Sequence, residues 1–124
     1  MVYFWVAFAG SIGALLRFSV ARWSALLGLN GLPLATFFVN FSGSFLIGFL
    51  VIVLEQKWSA SDSFKTALIT GGLGGFTTFS AFSMEAVHMI QQGGILKSVS
   101  YVLSTMVFCL LACALGVYLA KQIV

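Results

Sequence analysis

A few side chains able to handle an ion sit inside long uncharged stretches of this 124-residue chain. Asn40 offers an amide NH2 group, Thr77, Thr78, Ser80 and Ser83 offer hydroxyls, and Tyr101, Ser104 and Thr105 offer more further along. Carboxylates are missing from the middle of these stretches, with Glu85 toward the end of the third. Donors without carboxylates suit a hydrogen-bond-accepting anion better than a cation. Phe79 and Phe82 are three apart, so a helix sets both on one face, and phenyl edges carry partial positive charge. Two ring edges beside an amide donor can strip water from a small anion without a fixed cation to trap it.

Each of these groups also has a packing role open to it. Phenylalanines at helical spacing face lipid or fill cores, and serines and threonines in such helices bond back to their own backbone. A single Asn can tie two helices together, for about 1–2 kcal/mol at best. Arg17 lies about 24 Å along the first stretch, at roughly 1.5 Å per helical residue, close to its far end. It can snorkel there or form an electropositive vestibule that attracts anions. His88, three residues after Glu85, reads as an interfacial residue with its bonds satisfied.

The elements that must position these groups are set by the solvent, and the composition names it. Hydrophobic residues make up 60% of the chain and charged residues 7%, against roughly 25% charged in a soluble domain. So few charges cannot coat a soluble fold, which excludes a soluble enzyme, a secreted disulfide scaffold and a nucleic-acid binder. The net charge of +3 rests on six Lys and Arg that never cluster. A helix crosses a bilayer with about 20 apolar residues, so four crossings use roughly 80 and leave short loops. The expectation is a multi-pass integral membrane protein in contact with lipid. Cys109 and Cys113, four apart on one helical face, read as small hydrophobes rather than a disulfide or metal site. The first stretch lacks a basic n-region and reads as a retained span rather than a signal peptide.

Four spans are expected, at about 2–21, 34–54, 66–92 and 98–120, in a single all-α domain. The second is entered through Asn30-Gly31-Leu32-Pro33, and Gly93-Gly94 divides the third from the fourth. The polar loop 55–63 joins the second to the third. The third is unusual, because Gly71-Gly72-Leu73-Gly74-Gly75 places four glycines within five residues, each about 1 kcal/mol worse than Ala in a helix. Threonines and serines follow at membrane depth. Polar backbone cannot face lipid, so a break near 71–78 must be buried in protein or line a wet cavity, as at many ion sites. Gly71 and Gly75 also form a GxxxG packing pair, which leaves Gly72, Gly74 and the hydroxyls unexplained.

With four spans, Lys57, Lys65 and Lys121 lie on one side of the membrane and Arg17, Arg22 and Lys97 on the other. The positive-inside rule acts through an imbalance of Lys and Arg, and a three-to-three tally supplies none. Such a chain can insert in both orientations and pair as an antiparallel dimer, unless one marginal charge or the N-terminal amine decides.

The stretch Gly74-Gly75-Phe76-Thr77-Thr78-Phe79-Ser80-Ala81-Phe82-Ser83 resembles the third-helix signature of the Fluc (CrcB) fluoride channels. Asn40-Phe41-Ser42-Gly43-Ser44-Phe45-Leu46-Ile47-Gly48 is similar to their second-helix pattern, and Gly13-Ala14-Leu15-Leu16-Arg17 to their first-helix motif. The resemblance covers the whole chain. It implies an antiparallel, dual-topology homodimer with two fluoride pathways lined by Asn40, Phe79, Ser80 and Phe82, with Tyr101 and Thr105 as a polar track in the fourth helix. It also implies a structural Na+ at the dimer centre, held by backbone carbonyls of Gly74 and Thr77 from both subunits. Arg17 and Glu85 are vestibule or structural residues in this reading. Two positions depart from the family pattern: Ala81 replaces a threonine between the two phenylalanines, and Ala35 replaces a glycine at the entry to the second helix.

The function so implied is passive export of cytoplasmic fluoride through the cell membrane, without enzymatic chemistry. A small four-helix multidrug or cation exporter is the alternative, but it needs a membrane-embedded Glu in the first helix, and this first helix has none. A non-transporting assembly subunit would require neither the glycine break nor the donor set. The charge tie favours one dual-topology chain over a pair of paralogues.

Overall fold

In a computed structural model, which describes residues 1–29, 33–58 and 60–124, every regular element among the described residues is helical. The order is α1 (Val2–Leu26), α2 (Leu34–Gln56), α3 (Asp62–Thr66), a π-helical stretch (Ala67–Leu73), α4 (Gly74–Phe76), α5 (Phe79–Gln91) and α6 (Ile95–Ile123). Helices α1, α2 and α6 hold 25, 23 and 29 residues and are long and apolar enough to cross a membrane. The chain is a multi-pass membrane protein. Most of the turn read at Asn30-Gly31-Leu32-Pro33, and Ser59 of the polar loop, lie outside the described residues.

Helix ends follow backbone capping rather than the end of the apolar run. Helix α1 continues past Arg22 and stops where Gly28 takes a φ of +73°. There the Leu29 N–H reaches the Ser24 carbonyl and the Gly28 N–H the Ala25 carbonyl, a Schellman closure that needs a residue at ease with positive φ. Gly93, with φ of +81°, closes α5 in the same way, the Gly94 and Gly93 N–H groups reaching Met89 and Ile90. The Ser98 hydroxyl then donates to the Ala86 carbonyl at 2.8 Å and pins α6 to α5.

Glycines let two pairs of backbones approach closely. Gly48 of α2 lies against the Cys113 carbonyl of α6, and Gly116 of α6 lies against the Phe45 carbonyl. On the other side, α1 meets the π-helical stretch and α4. A methyl group at Gly71 would sit 2.6 Å from the Val6 carbonyl oxygen, and one at Gly75 would sit 2.5 Å from that of Gly10. Gly13 is the one buried residue of α1 and presses on the Gly72 carbonyl. Gly71 and Gly75 therefore do the packing work of a GxxxG pair, while a methyl group at Gly74 would meet only the Ile69 carbonyl oxygen, at an ordinary 3.9 Å.

The remaining faces divide as lipid demands. Phe82, Ala86 and Tyr101 form a buried cluster, packed by Phe37, Met89 and Val102. Large apolar side chains of α1, among them Phe4, Phe8, Leu15 and Trp23, point outward. Cys109 and Cys113 are half-buried and carry no disulfide. The Lys57 ammonium donates to the Ile123 carbonyl at 2.8 Å, a cation on the negative end of α6.

Candidate functional site

The helical path stops after Phe76 and resumes at Phe79. Between them Thr77 (ψ 158°) and Thr78 (φ −152°, ψ 114°) are extended. The Thr77 N–H keeps its helical bond to the Leu73 carbonyl at 2.9 Å, but the Thr77 carbonyl and both backbone groups of Thr78 leave the ladder inside an apolar segment and need partners from elsewhere. Asn40 of α2 supplies two: it accepts from the Thr78 N–H at 2.8 Å and donates to the Thr78 carbonyl at 2.9 Å. Arg17 of α1 supplies a third, its Nη1 donating to the Thr77 carbonyl at 3.1 Å. The Thr78 hydroxyl caps α5 by accepting from the Ala81 N–H at 3.2 Å. In a continuous helix the Thr78 N–H would serve the Gly74 carbonyl. Asn40 takes that N–H instead and strips the carbonyl of its helical donor.

Two cavities border this segment. One, of about 380 Å³, is lined by Arg17, Thr36, Thr78 and Glu85 among apolar residues. The other, of about 420 Å³, is lined by Asn40, Ser44, Thr70, Gly74 and Thr77. Thr78 faces the first and Thr77 the second.

The aromatic residues form a chain of contacts beside the break. The Phe79 and Phe82 rings are 5.4 Å apart, and Phe82 lies 5.2 Å from Tyr101. Phe82 is 5% exposed and belongs to the core, whereas Phe79 is 73% exposed. Beyond them the Tyr101 hydroxyl donates to Glu85 Oε2 at 2.8 Å, and the Thr36 hydroxyl donates to Oε1 at 2.6 Å. One carboxylate thus joins α2, α5 and α6.

The hydroxyls fall into two groups. Thr77, Ser83 and Ser104 donate back to carbonyls of Leu73, Phe79 and Tyr101 on the same turns, the local bonding typical of such residues. Ser80 lies 3.3 Å from the Thr78 hydroxyl. Thr105 is buried, and its hydroxyl oxygen has no partner among the described residues. The structure gathers Asn40, Arg17, Thr77 and Thr78 at the break and links Phe79, Phe82, Tyr101 and Glu85 in sequence. No bond joins Thr105 to either group among the described residues. His88 pairs with Gln92 at 2.9 Å on the exposed side of α5.

Two contributions escape a reading of the sequence. Thr36 precedes Asn40 by four, which places both on one face of α2, and that spacing was the available signal. The Arg17 bond had none. Helix α1 extends nine residues beyond Arg17, about 13 Å at helical rise, so the guanidinium lies deeper than the apolar run suggests and turns toward the break.

Comparison with known proteins adds to this geometry. Residues 4–117 match the family model described as CrcB-like protein, Camphor Resistance (CrcB). A protein named Fluoride-specific ion channel FluC from Helicobacter pylori (strain J99) is 39% identical over 126 residues, covering 100% of this chain and 96% of that protein. Its namesake from Agrobacterium fabrum is 40% identical over 118 residues, 95% of this chain and 94% of that protein. One from Methylococcus capsulatus is 39% identical over 122 residues, but the chain spans about half of it, 53%. The family match takes in the break, both residues that hold it and the aromatic run beside it; this chain belongs to the CrcB family.

Proposed function

We propose that the chain is a fluoride-specific ion channel of the cell membrane, which lets cytoplasmic fluoride leave passively. The observation that carries this reading is 40% identity, at near-full length, to a protein named for that activity. The donor set around the break supports it. One hydrogen of the Asn40 amide is left over from its bond to Thr78, the Ser80 residue is exposed, and the Thr105 hydroxyl is buried without a partner among the described residues. A small anion that sheds water needs such donors, and the ring edge of Phe79 adds a weak positive field. Fluoride that enters as HF from an acidic medium dissociates inside and accumulates, so a passive path is enough to expel it.

An antiparallel homodimer with two such paths completes the reading. Thr70 and Gly74 are exposed at the cavity that holds Asn40 and Thr77. Polar backbone at that depth must be covered by protein rather than lipid, and a second copy inserted the other way would cover it. The three-to-three charge tally allows both orientations. A Na+ ion at the centre fits the donors: the Gly74 carbonyl has lost its helical N–H, and the Thr77 carbonyl keeps one lone pair beyond its bond to Arg17. Oxygen ligands of this kind suit a hard cation. When bound, the ion would supply fixed positive charge that joins the two breaks.

Fluoride efflux from liposomes containing only this protein, read by a fluoride-selective electrode, tests the function. Rapid efflux with chloride retained is expected. Liposomes that hold folded protein yet retain fluoride would overturn the reading.

A further inference from the structure

We infer that Arg17 is a positioning residue that, together with Asn40, locks the Thr77–Thr78 peptide group in one orientation. The inference deepens the proposed function, because it takes the break to border the fluoride path.

The Thr77 carbonyl and the Thr78 N–H belong to one peptide unit. That unit is planar and trans, so its C=O and N–H point to opposite sides. Arg17 from α1 donates to the oxygen, and Asn40 from α2 accepts from the N–H. Two side chains on different helices therefore hold the two ends of one rigid plane. Turning the plane over by rotation about its flanking φ and ψ angles breaks both bonds together. Neither extended residue sits in a regular helical run that would resist such a turn.

The charge on the guanidinium strengthens the hold, since a charged donor makes roughly twice the bond of a neutral one. Glu85 lines the same cavity as Arg17, but its oxygens accept from Thr36 and Tyr101. What depends on the lock is the sign of a dipole. The peptide joins Thr77, which lines one cavity, to Thr78, which lines the other. Reversing it would exchange carbonyl for N–H on each side, and an anion is repelled by the first and drawn by the second.

The sequence provides a direct probe. Thr77–Thr78 is the one Thr-Thr pair in the chain. Protein grown with carbonyl-13C and amide-15N threonine therefore holds a single bonded 13C–15N pair, at this peptide. Solid-state NMR of the labelled protein in liposomes reads that pair, and fluoride efflux is measured on the same preparation. Wild type is expected to give one resonance. Arg17→Gln should move or split it and lower efflux about tenfold or more, the scale of one lost charge-assisted hydrogen bond. Arg17→Lys keeps the charge and a hydrogen-bond donor, and should recover both readouts in part. Arg22→Gln, at an exposed residue of the same helix, removes the same charge from the three-to-three tally, so it should leave the resonance at its wild-type position and measure the efflux lost to charge balance alone. A wild-type resonance in both folded Arg17 variants would overturn the lock. A shifted resonance with undiminished efflux would leave the lock standing and overturn the placement of the break beside the fluoride path.

Discussion

The Phe79 and Phe82 rings lie 5.4 Å apart, centre to centre, but occupy different surroundings, one turned outward and the other sealed in the core against Tyr101. Equal spacing on a helix has not given them equal roles. Phe82→Ile should destabilise the fold by about 1–2 kcal/mol, through altered core shape and the lost ring contact. Phe79→Ile should change the stability of the fold by less than about 0.5 kcal/mol. Both should lower fluoride efflux by orders of magnitude if ring edges face the ion. Thermal unfolding in detergent alongside liposome efflux checks the pair. Normal efflux in both variants would assign the rings to packing.

Asn40 is used twice by the backbone of Thr78, which makes its replacements informative. Asn40→Asp keeps the acceptor for the N–H but sets a carboxylate oxygen against the Thr78 carbonyl. A loss of about 2–4 kcal/mol is expected, since a carboxylate at this depth adds its own insertion cost. Asn40→Ala leaves both groups unserved and should also destabilise, by about 2 kcal/mol. Stabilities within error of wild type would show that water replaces the side chain without penalty.

Close backbone approach predicts a contrast between two glycines. Gly116→Ala drives a methyl group into the Phe45 carbonyl and should cost about 1–3 kcal/mol as α2 and α6 separate. Gly72→Ala meets its nearest atoms at 3.9 Å, and should be neutral or stabilising by up to about 1 kcal/mol. Denaturation midpoints of the two variants give the answer. A tolerated alanine at 116 would mean that the α2–α6 seam gives way easily.

Removal of Na+ tests the proposed central ion. Exchange of Na+ for a large organic cation should lower the melting temperature of the detergent-solubilised protein. Thr77→Ala should keep most of the Na+ response, because the backbone oxygen survives, whereas a bulky residue at Gly74 should abolish it. Complete loss of the response in folded Thr77→Ala would point to the hydroxyl as ligand. That hydroxyl donates to the Leu73 carbonyl but keeps lone pairs to offer.

Reporter fusions at Val124 should find the C-terminus on both sides of the membrane in comparable amounts. Two added lysines on either side should bias insertion and reduce activity, because antiparallel pairing then lacks one partner. A single orientation in the unmodified chain would rule out the dual-topology homodimer.

The long helices were legible because hydropathy and length act locally, and the helix stop at Gly93 because a Schellman closure needs positive φ. The site was only partly legible. The four glycines of the third segment draw attention to themselves, yet Gly71 and Gly75 serve contact with α1, and the extended residues are the two threonines beyond them. Local propensity cannot separate those uses, because both need glycine or its neighbours. Nor can it give Glu85 its partners: Thr36 is 49 positions away and Tyr101 is 16. Asn40 could be named as a polar group at depth, but the direction of its bonds follows from helix packing, which no window of sequence contains.

The bond between Arg17 and Thr77 spans 60 positions, and that separation governs how the chain is made. Synthesis at about 5–20 residues per second leaves the guanidinium waiting roughly 3–12 s for the carbonyl it will serve. During that interval α1 must leave the translocon with an unanswered cation, stretched toward headgroups or water. Asn40 waits 38 positions for its own partner. The nascent chain therefore passes through a stage in which two polar side chains have no answering backbone. The answering groups come from two adjacent threonines, so arrival of the third segment supplies both partners together.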